Sequence, residues 1–254
     1  SRLMTKPGTG KKVLVAMSGG VDSSVVAALL VEQGYEVIGV TMQVWDYSEC
    51  DITTPNNGTC CSSVDVQDAR NVAEKMNIPF YVLNCEDKFQ AYVIDPFVHE
   101  YLEGRTPNPC VNCNTFLKFD HLFTKMKELG CDYLATGHYV QTGVVDGDKS
   151  VLIKGRDPIK DQSYFLFTIP KEYLKNLLFP VGDMTKDEVR KHAERFGLLN
   201  ARKKDSQEIC FVSSKGYAKF IESRVGEDLL HKGGDIILLP SGKKIGTHDG
   251  IHGY

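Results

Sequence analysis

The run Val13-Leu14-Val15-Ala16-Met17-Ser18-Gly19-Gly20-Val21-Asp22-Ser23-Ser24 limits the fold of this chain more than any other stretch. Its first half is apolar and β-branched, the pattern of a buried strand. Ser-Gly-Gly interrupts it, and Val25, Val26, Leu29 and Leu30 then recur at helical spacing, which predicts a helix from Asp22 to about Gln33. Adjacent glycines let the backbone turn sharply and approach a ligand, while the N–H groups of the first helical turn stay free to point at it. The hydroxyls of Ser18, Ser23 and Ser24 add donors, so the string reads as an anion site shaped for phosphate. No Gly-Lys-Ser/Thr follows, which excludes a Walker A loop. A lone Gly-Gly would be only a turn; the whole string carries the reading.

Strand and helix patterns then alternate. The spacing predicts strands over Val37–Met42, Phe80–Leu83 and Tyr133–Thr136, and helices over Val64–Asn77, opened by Ser62 and Asp65 as a capping pair, and Phe116–Leu129. The expected fold class is α/β, a doubly wound parallel sheet binding its ligand at the carboxyl ends of the strands. Two long loops interrupt it: Val44 to Cys61, polar and glycine-bearing, and Gly104 to Asn114, held rigid by Pro107 and Pro109. Val140–Ile153 reads as a hairpin around Asp146-Gly147. A helix from Thr185 to Phe196 has Thr185 and Glu188 as capping box and Gly197 as stop. After Lys215 short strands and glycine turns begin a small β-rich domain with too few strands to close a sheet. The expected division is 1–10, a flexible tag; 11–212, a catalytic domain; and 213–254, an incomplete β-rich domain.

The chain has 254 residues, 42% hydrophobic and 25% charged, with a formal charge of −3, the profile of an ordinary globular protein. No apolar run approaches membrane-spanning length and no signal-peptide core is present, so a cytoplasmic protein with no membrane partner is expected. The net charge neither suggests nor excludes a nucleic acid. Arg202-Lys203-Lys204 and Lys186, Arg190, Lys191 and Arg195 are candidates for a phosphate-binding face, although charged helix faces are usually just solvated. Trp45 and Tyr47 could stack on a base or pack locally.

Eight cysteines occur, at 50, 60, 61, 85, 110, 113, 131 and 210, and nothing points to an extracellular disulfide framework. Cys85 and Cys131 read as buried small hydrophobes. Cys110-Val111-Asn112-Cys113 brings two sulfurs close enough to share a metal or form a disulfide, and zinc, a redox pair, iron–sulfur and chance all fit that spacing. Zinc is disfavoured because no second C-x-x-C exists and the adjacent Cys60-Cys61 aims its sulfurs poorly. Cys210, between Ile209 and Phe211, reads by its neighbours as buried, yet it follows basic residues and continues no helix.

Ser18–Ser24 resembles the PP-loop of ATP-pyrophosphatases, in which the residue matching Asp22 helps hold Mg²⁺ on the leaving pyrophosphate. With Thr106–Asn114, Ala135-Thr136-Gly137-His138-Tyr139, Lys160-Asp161-Gln162-Ser163-Tyr164-Phe165 and Asp205–Phe211, in that order, the chain from Lys11 onward resembles the tRNA-specific 2-thiouridylases. Gly246 onward resembles the middle of their central β-domain, so their C-terminal β-barrel is absent from these residues. The resemblance implies thiolation of C2 of the wobble uridine (U34) of tRNA: ATP adenylates the C2 oxygen, and a sulfur nucleophile displaces AMP. It puts ATP against Ala16, Met17, Ser18, Gly19, Gly20, Val21, Asp22, Ser23, Met42 and Gly137. It puts tRNA against His138, Lys160, Asp161 and Gln162, and the target base against Asn108, Pro109 and Cys110. Cys113 and Cys210 match the catalytic pair, one the nucleophile and the other the persulfide carrier.

One departure matters. Many members of that family have Asp where this chain has Cys110, and a thiol replaces a carboxylate only as thiolate, which is also a metal ligand. Related tRNA-thiolating enzymes with three such cysteines hold a [4Fe–4S] cluster, so Cys110, Cys113 and Cys210 are expected to ligate one and to deliver hydrosulfide. The alternative is a metal-free persulfide–disulfide route through Cys113 and Cys210. The sulfur donor would be hydrosulfide or a carrier fed by a cysteine desulfurase. An amide-forming ATP-pyrophosphatase and a non-catalytic metal- or tRNA-binding module are the competing readings. The 4-thiouridine synthases usually carry an RNA-binding module ahead of the loop, for which there is no room.

Overall fold

The structure, a computed structural model, describes residues 6–44, 63–205, 211–212, 216–230 and 232–253. Ser62, the first long loop beyond Val44 with Trp45 and Tyr47, and Cys210 lie outside the described residues.

Strand β1 (Lys12–Ala16) leads into helix α1 (Val21–Glu32) and β2 (Glu36–Gln43); α2 (Ser63–Lys75) and β3 (Phe80–Asn84) follow. Helix α3 (Glu86–Phe89) runs through a five-residue π turn, Gln90–Ile94, into α4 (Asp95–Leu102). The next helical run is α5 (Pro109–Asn112), a wide stretch Cys113–Phe119, and α6 (Asp120–Glu128). Then come β4 (Tyr133–Ala135), the hairpin β5 (Val140–Val145) and β6 (Lys149–Lys154), α7 (Lys171–Leu174), β7 (Leu177–Leu178), α8 (Lys186–Arg195), α9 (Tyr217–Glu222), and the hairpin β8 (Gly234–Leu238) and β9 (Lys243–His248).

Five parallel strands form one sheet in the order β3-β2-β1-β4-β7. The predicted α/β fold is borne out. Strand alternation splits the core: Leu14, Val40 and Leu134 face the helices of residues 86–128, while Val13, Val15 and Ala135 face α1, α2 and α8. Because β2 and β4 flank β1 on opposite sides, the strand order reverses beside β1, and a crevice opens there at the carboxyl ends.

The locally encoded elements sit where the sequence put them. Asp146 and Gly147 both take positive φ (51° and 86°) in the β5–β6 turn. Thr185 and Glu188 form the capping box of α8, and Gly197 follows at φ 61°. Cys85 and Cys131 are buried. Asp65, half of the predicted capping pair, holds Lys203 through its carboxylate.

Two expectations are corrected. Gly104–Asn114 is loop only to Asn108: that side chain accepts a hydrogen bond from the Cys110 N–H (3.2 Å), and Pro109 starts a helix. Proline suits a first helical turn, where its missing N–H costs nothing. The helix expected from Phe116 is therefore the continuation of one begun seven residues earlier. The segment 86–102 is helical although Pro96 lies inside it, the preceding π turn relieving the clash a proline makes with the carbonyl four residues back. On helix α8 the basic candidates differ: Lys186 is buried, Arg190 donates to the Ala201 carbonyl, Arg195 forks onto Glu32, and Lys191 is exposed.

Phe97 is 1% exposed and meets Tyr101, Phe211 and Phe220 at centroid distances of 4.9, 5.1 and 6.1 Å. Phe97→Ala is expected to lower the unfolding free energy by about 3–5 kcal/mol, read from the urea midpoint at unchanged slope.

Candidate active site

A cavity of about 300 Å³ lies at the carboxyl ends of β1, β2 and β4, walled by the loop after β1, by Val40–Met42, by Thr136–Tyr139, and by Lys160, Gln162 and Lys203–Asp205. Two glycines let its parts close together. Gly19 has φ +75°, and a Cβ there would lie 2.2 Å from the Asp65 carbonyl oxygen. At Gly137 a Cβ would lie 2.9 Å from the Ser23 nitrogen. The loop is further pinned by Asn200, whose Nδ2 donates to the Gly19 and Gly20 carbonyls (3.0 and 3.3 Å) and to Ser24 Oγ (2.8 Å). In a planar trans peptide the N–H points opposite the C=O, so these bonds turn the Gly20 and Val21 amides away from Asn200. The Ser18 N–H is the exception, since it donates to Ser23 Oγ (3.1 Å).

Charges alternate along one wall. Asp22 Oδ1 accepts from the Tyr139 hydroxyl (2.8 Å) and from Lys186 Nζ (2.6 Å). The same ammonium is 2.6 Å from Asp205 Oδ1, and Lys160 Nζ is 2.6 Å from Asp205 Oδ2. Burial and then the Asp22 charge push the Tyr139 hydroxyl far up, so it remains a donor. Burial pushes the Asp205 carboxyl up, but its bonds to Lys160 and Lys186 outweigh this and hold it below the usual carboxylate range. Lys203 bridges Asp65 and Asp68, each at 2.6 Å, tying α2 to the end of the chain's 200s segment.

His138 Nδ1 is 2.7 Å from Thr136 Oγ1. Burial, and then Lys118 nearby, push the ring down to about 3, so it is neutral at pH 7.

Of the residues expected to meet ATP, Ala16, Met17, Ser18, Gly20, Val21, Asp22, Ser23, Met42 and Gly137 line the cavity. Gly19 does not; it is buried against the backbone of Asp65, where its lack of a side chain serves close packing. His138, Lys160 and Gln162 also line the cavity, and Gln162 Oε1 accepts the Tyr139 N–H (3.0 Å). Asp161 does not: its carboxylate accepts from the Gly155 N–H and from the Ser163 N–H and hydroxyl, shaping the turn that presents its neighbours. Asn108, Pro109, Cys110 and Cys113 lie outside the cavity wall. Asn108 and Cys110 are exposed, Pro109 is buried and Cys113 is half-buried. The helical run they begin carries Lys118 and Leu122 onto the wall. Burial pushes the Cys85 thiol up to about 11, and Cys113 nearby adds to the rise.

The roles of Tyr139, Asp205, Lys186 and Asn200 were not assigned from sequence. Tyr139 and Asp205 fall inside motif strings, which was the available signal. Lys186 looked like a helix-surface lysine, and nothing local marks Asn200.

Residues 11–214 match the family described as the tRNA methyl transferase HUP domain. Proteins named tRNA-specific 2-thiouridylase MnmA are similar along almost the whole chain. That of Geotalea uraniireducens is 54% identical over 255 residues, covering 99% of this chain and 66% of the relative. That of Geobacter metallireducens is 53% identical, covering 96% and 66%, and that of Lachnoclostridium phytofermentans is 48% identical, covering 96% and 67%. The chain belongs to the tRNA-specific 2-thiouridylase family. It spans about two thirds of the length of these relatives. Among solved structures, it is similar to the U34-tRNA thiolase NcsA from Methanococcus maripaludis with its [4Fe-4S] cluster. That match has a TM-score of 0.47 and 20% identity over 76% of this chain and 59% of the other, a likeness too low to speak for fold or cluster. Among the described residues, no helix of this family member is long and apolar enough to cross a membrane, and no group of three or more His, Cys, Asp or Glu side chains is placed to hold a metal ion.

The Asp205 pairing has a pH signature. A carboxyl held below its unfolded value adds stability above that value and loses it as pH falls through the folded one. The unfolding free-energy difference between this chain and Asp205→Asn is therefore expected to be full near pH 6 and to shrink below about pH 4, as measured by denaturant titrations across that range.

Proposed function

We propose that this chain carries the catalytic unit, residues 11–212, of an ATP-dependent tRNA-uridine 2-sulfurtransferase that thiolates C2 of U34 in the cytoplasm. The observation that carries the reading is that the helical run opened by the C-x-x-C turn also reaches the wall of the cavity at the loop after β1. Cys113 begins the helical stretch whose Lys118, five residues on, lines the cavity. The high identity of the named 2-thiouridylases supports it.

In this reading the Gly20 and Val21 amides and Lys203 and Lys204 receive the ATP phosphates. The uridine O2 attacks the α-phosphorus, and pyrophosphate leaves. Asp22 fits a Mg²⁺ ion: both of its protein donors bind Oδ1, and Oδ2 has no partner among the described residues at the cavity wall. Mg²⁺ bound there would neutralise the leaving pyrophosphate. Lys160 and Gln162 hold tRNA at the rim, and neutral His138 donates a hydrogen bond without adding charge. Hydrosulfide then forms the C–S bond at C2, the C–O bond to AMP breaks, and a proton is released.

Cys110 and Cys113 are one helical turn apart and share a face, as ligation of a common group requires. With Cys210 they would hold a [4Fe–4S] cluster, which supplies an open iron that binds hydrosulfide. Cys110 as a third thiol favours this over a persulfide on Cys113 or Cys210.

The test is 2-thiouridine formation on tRNA, read by nucleoside mass spectrometry. Cys113→Ser is expected to abolish it, and 2-thiouridine formed by that variant would remove Cys113 from the chemistry. Iron and acid-labile sulfide are expected in near-equal amounts in protein reconstituted without oxygen, and to be lost in Cys110→Asp. Absence of iron after reconstitution would return Cys113 and Cys210 to the persulfide–disulfide route.

A further inference from the structure

Lys186 is the first residue of α8, 164 residues beyond Asp22, and its side chain is 10% exposed. It does not line the cavity; it lies behind the two carboxylates that do. Its ammonium is 2.6 Å from Asp22 Oδ1 and 2.6 Å from Asp205 Oδ1, so those oxygens lie within about 5 Å of each other with the cation between them. The backbone fixes it as well, since the Lys186 N–H donates to buried Asp157 (2.9 Å). Tyr139 completes the arrangement, donating to the same Asp22 oxygen while its ring lies 5.9 Å from the ammonium.

Two donors on one oxygen have a directional consequence. A carboxylate bound only through Oδ1 cannot rotate freely, and its Oδ2 keeps its lone pairs for another ligand. Without the ammonium, Asp22 and Asp205 would face each other as like charges, and the Asp22 carboxylate would turn away. We propose that Lys186 is a positioning residue for the divalent cation of nucleotide cleavage: together with Tyr139 it clamps Asp22 Oδ1 so that Oδ2 is presented to the metal. This rests on the nucleotide reading given above and goes beyond it by naming the residue that sets the metal's ligand. It acts as the partner of a ligand, not on the substrate.

The experiment measures Mn²⁺ binding by electron paramagnetic resonance with α,β-methylene-ATP, which cannot release pyrophosphate, on this chain and on Lys186→Met and Lys186→Arg. Loss of a group that orients a ligand typically weakens metal binding about 10- to 100-fold, and that loss is expected for Lys186→Met. Binding of the analogue without metal is expected to change far less, and Lys186→Arg is expected to restore Mn²⁺ affinity. A merely structural role would lower both affinities and the melting temperature together. Unchanged Mn²⁺ affinity in Lys186→Met, or equal losses in both variants, overturns the proposal. If the unsubstituted chain fails to bind the analogue at all, the nucleotide reading itself falls, and this inference with it.

Discussion

At Gly19 and Gly137 two stretches of backbone press on the loop after β1 with no room for a Cβ, which would lie 2.2 Å from the Asp65 carbonyl in one case and 2.9 Å from the Ser23 nitrogen in the other. An anion site made of amides needs those amides fixed before the ligand arrives, because ordering them afterwards would cost binding energy. The two contacts supply that order from opposite sides: α2 closes on Gly19 and the end of β4 closes on Ser23. Asn200 adds a third restraint by holding the carbonyls. The parallel pairing of β1 with β2 and β4 sets the distance at which these elements meet the loop.

Charge follows from that geometry. Once α1 and α8 bring Asp22 and Lys186 together, the low-dielectric wall favours strict alternation, and Asp22, Lys186, Asp205 and Lys160 obey it. Neutral His138 and protonated Tyr139 extend the same logic, since each is a hydrogen-bonding group that adds no charge next to one already balanced. The wall thus places its charges in balanced pairs.

What was legible in the sequence is what is encoded locally. The glycine loop, the Asp146-Gly147 turn and the Thr185/Glu188 box each need only a few neighbouring residues, and each sits where the sequence put it. β7 spans only Leu177–Leu178, too short to show a period. The π turns at Gln90–Ile94 and Cys113–Phe119 break helical spacing in the places where it would be read. Lys186 resisted for a different reason: its partners are 164 and 19 residues away, and a lysine inside a capping box looks solvated until the tertiary fold buries it. Asp161 misled in the opposite sense, because its neighbours in the motif face the cavity while its own carboxylate is consumed by three local donors.

The C-x-x-C turn and the Lys160–Gln162 segment come from separate parts of the sequence, yet they are joined by hydrogen bonds. Asn114, directly after Cys113 and buried, donates to the Phe165 carbonyl (3.5 Å), and the Thr115 hydroxyl both donates to the Val111 carbonyl (2.9 Å) and meets Thr168. The wide stretch from Cys113 turns Leu117 and Phe119 into the core while Lys118 reaches the cavity. Gln162 is in turn bonded to the Tyr139 backbone, and Tyr139 to Asp22. A continuous chain of hydrogen bonds and packed side chains therefore runs from the cysteine turn to the phosphate loop. Lys160 and Gln162 are thereby held in fixed relation to both.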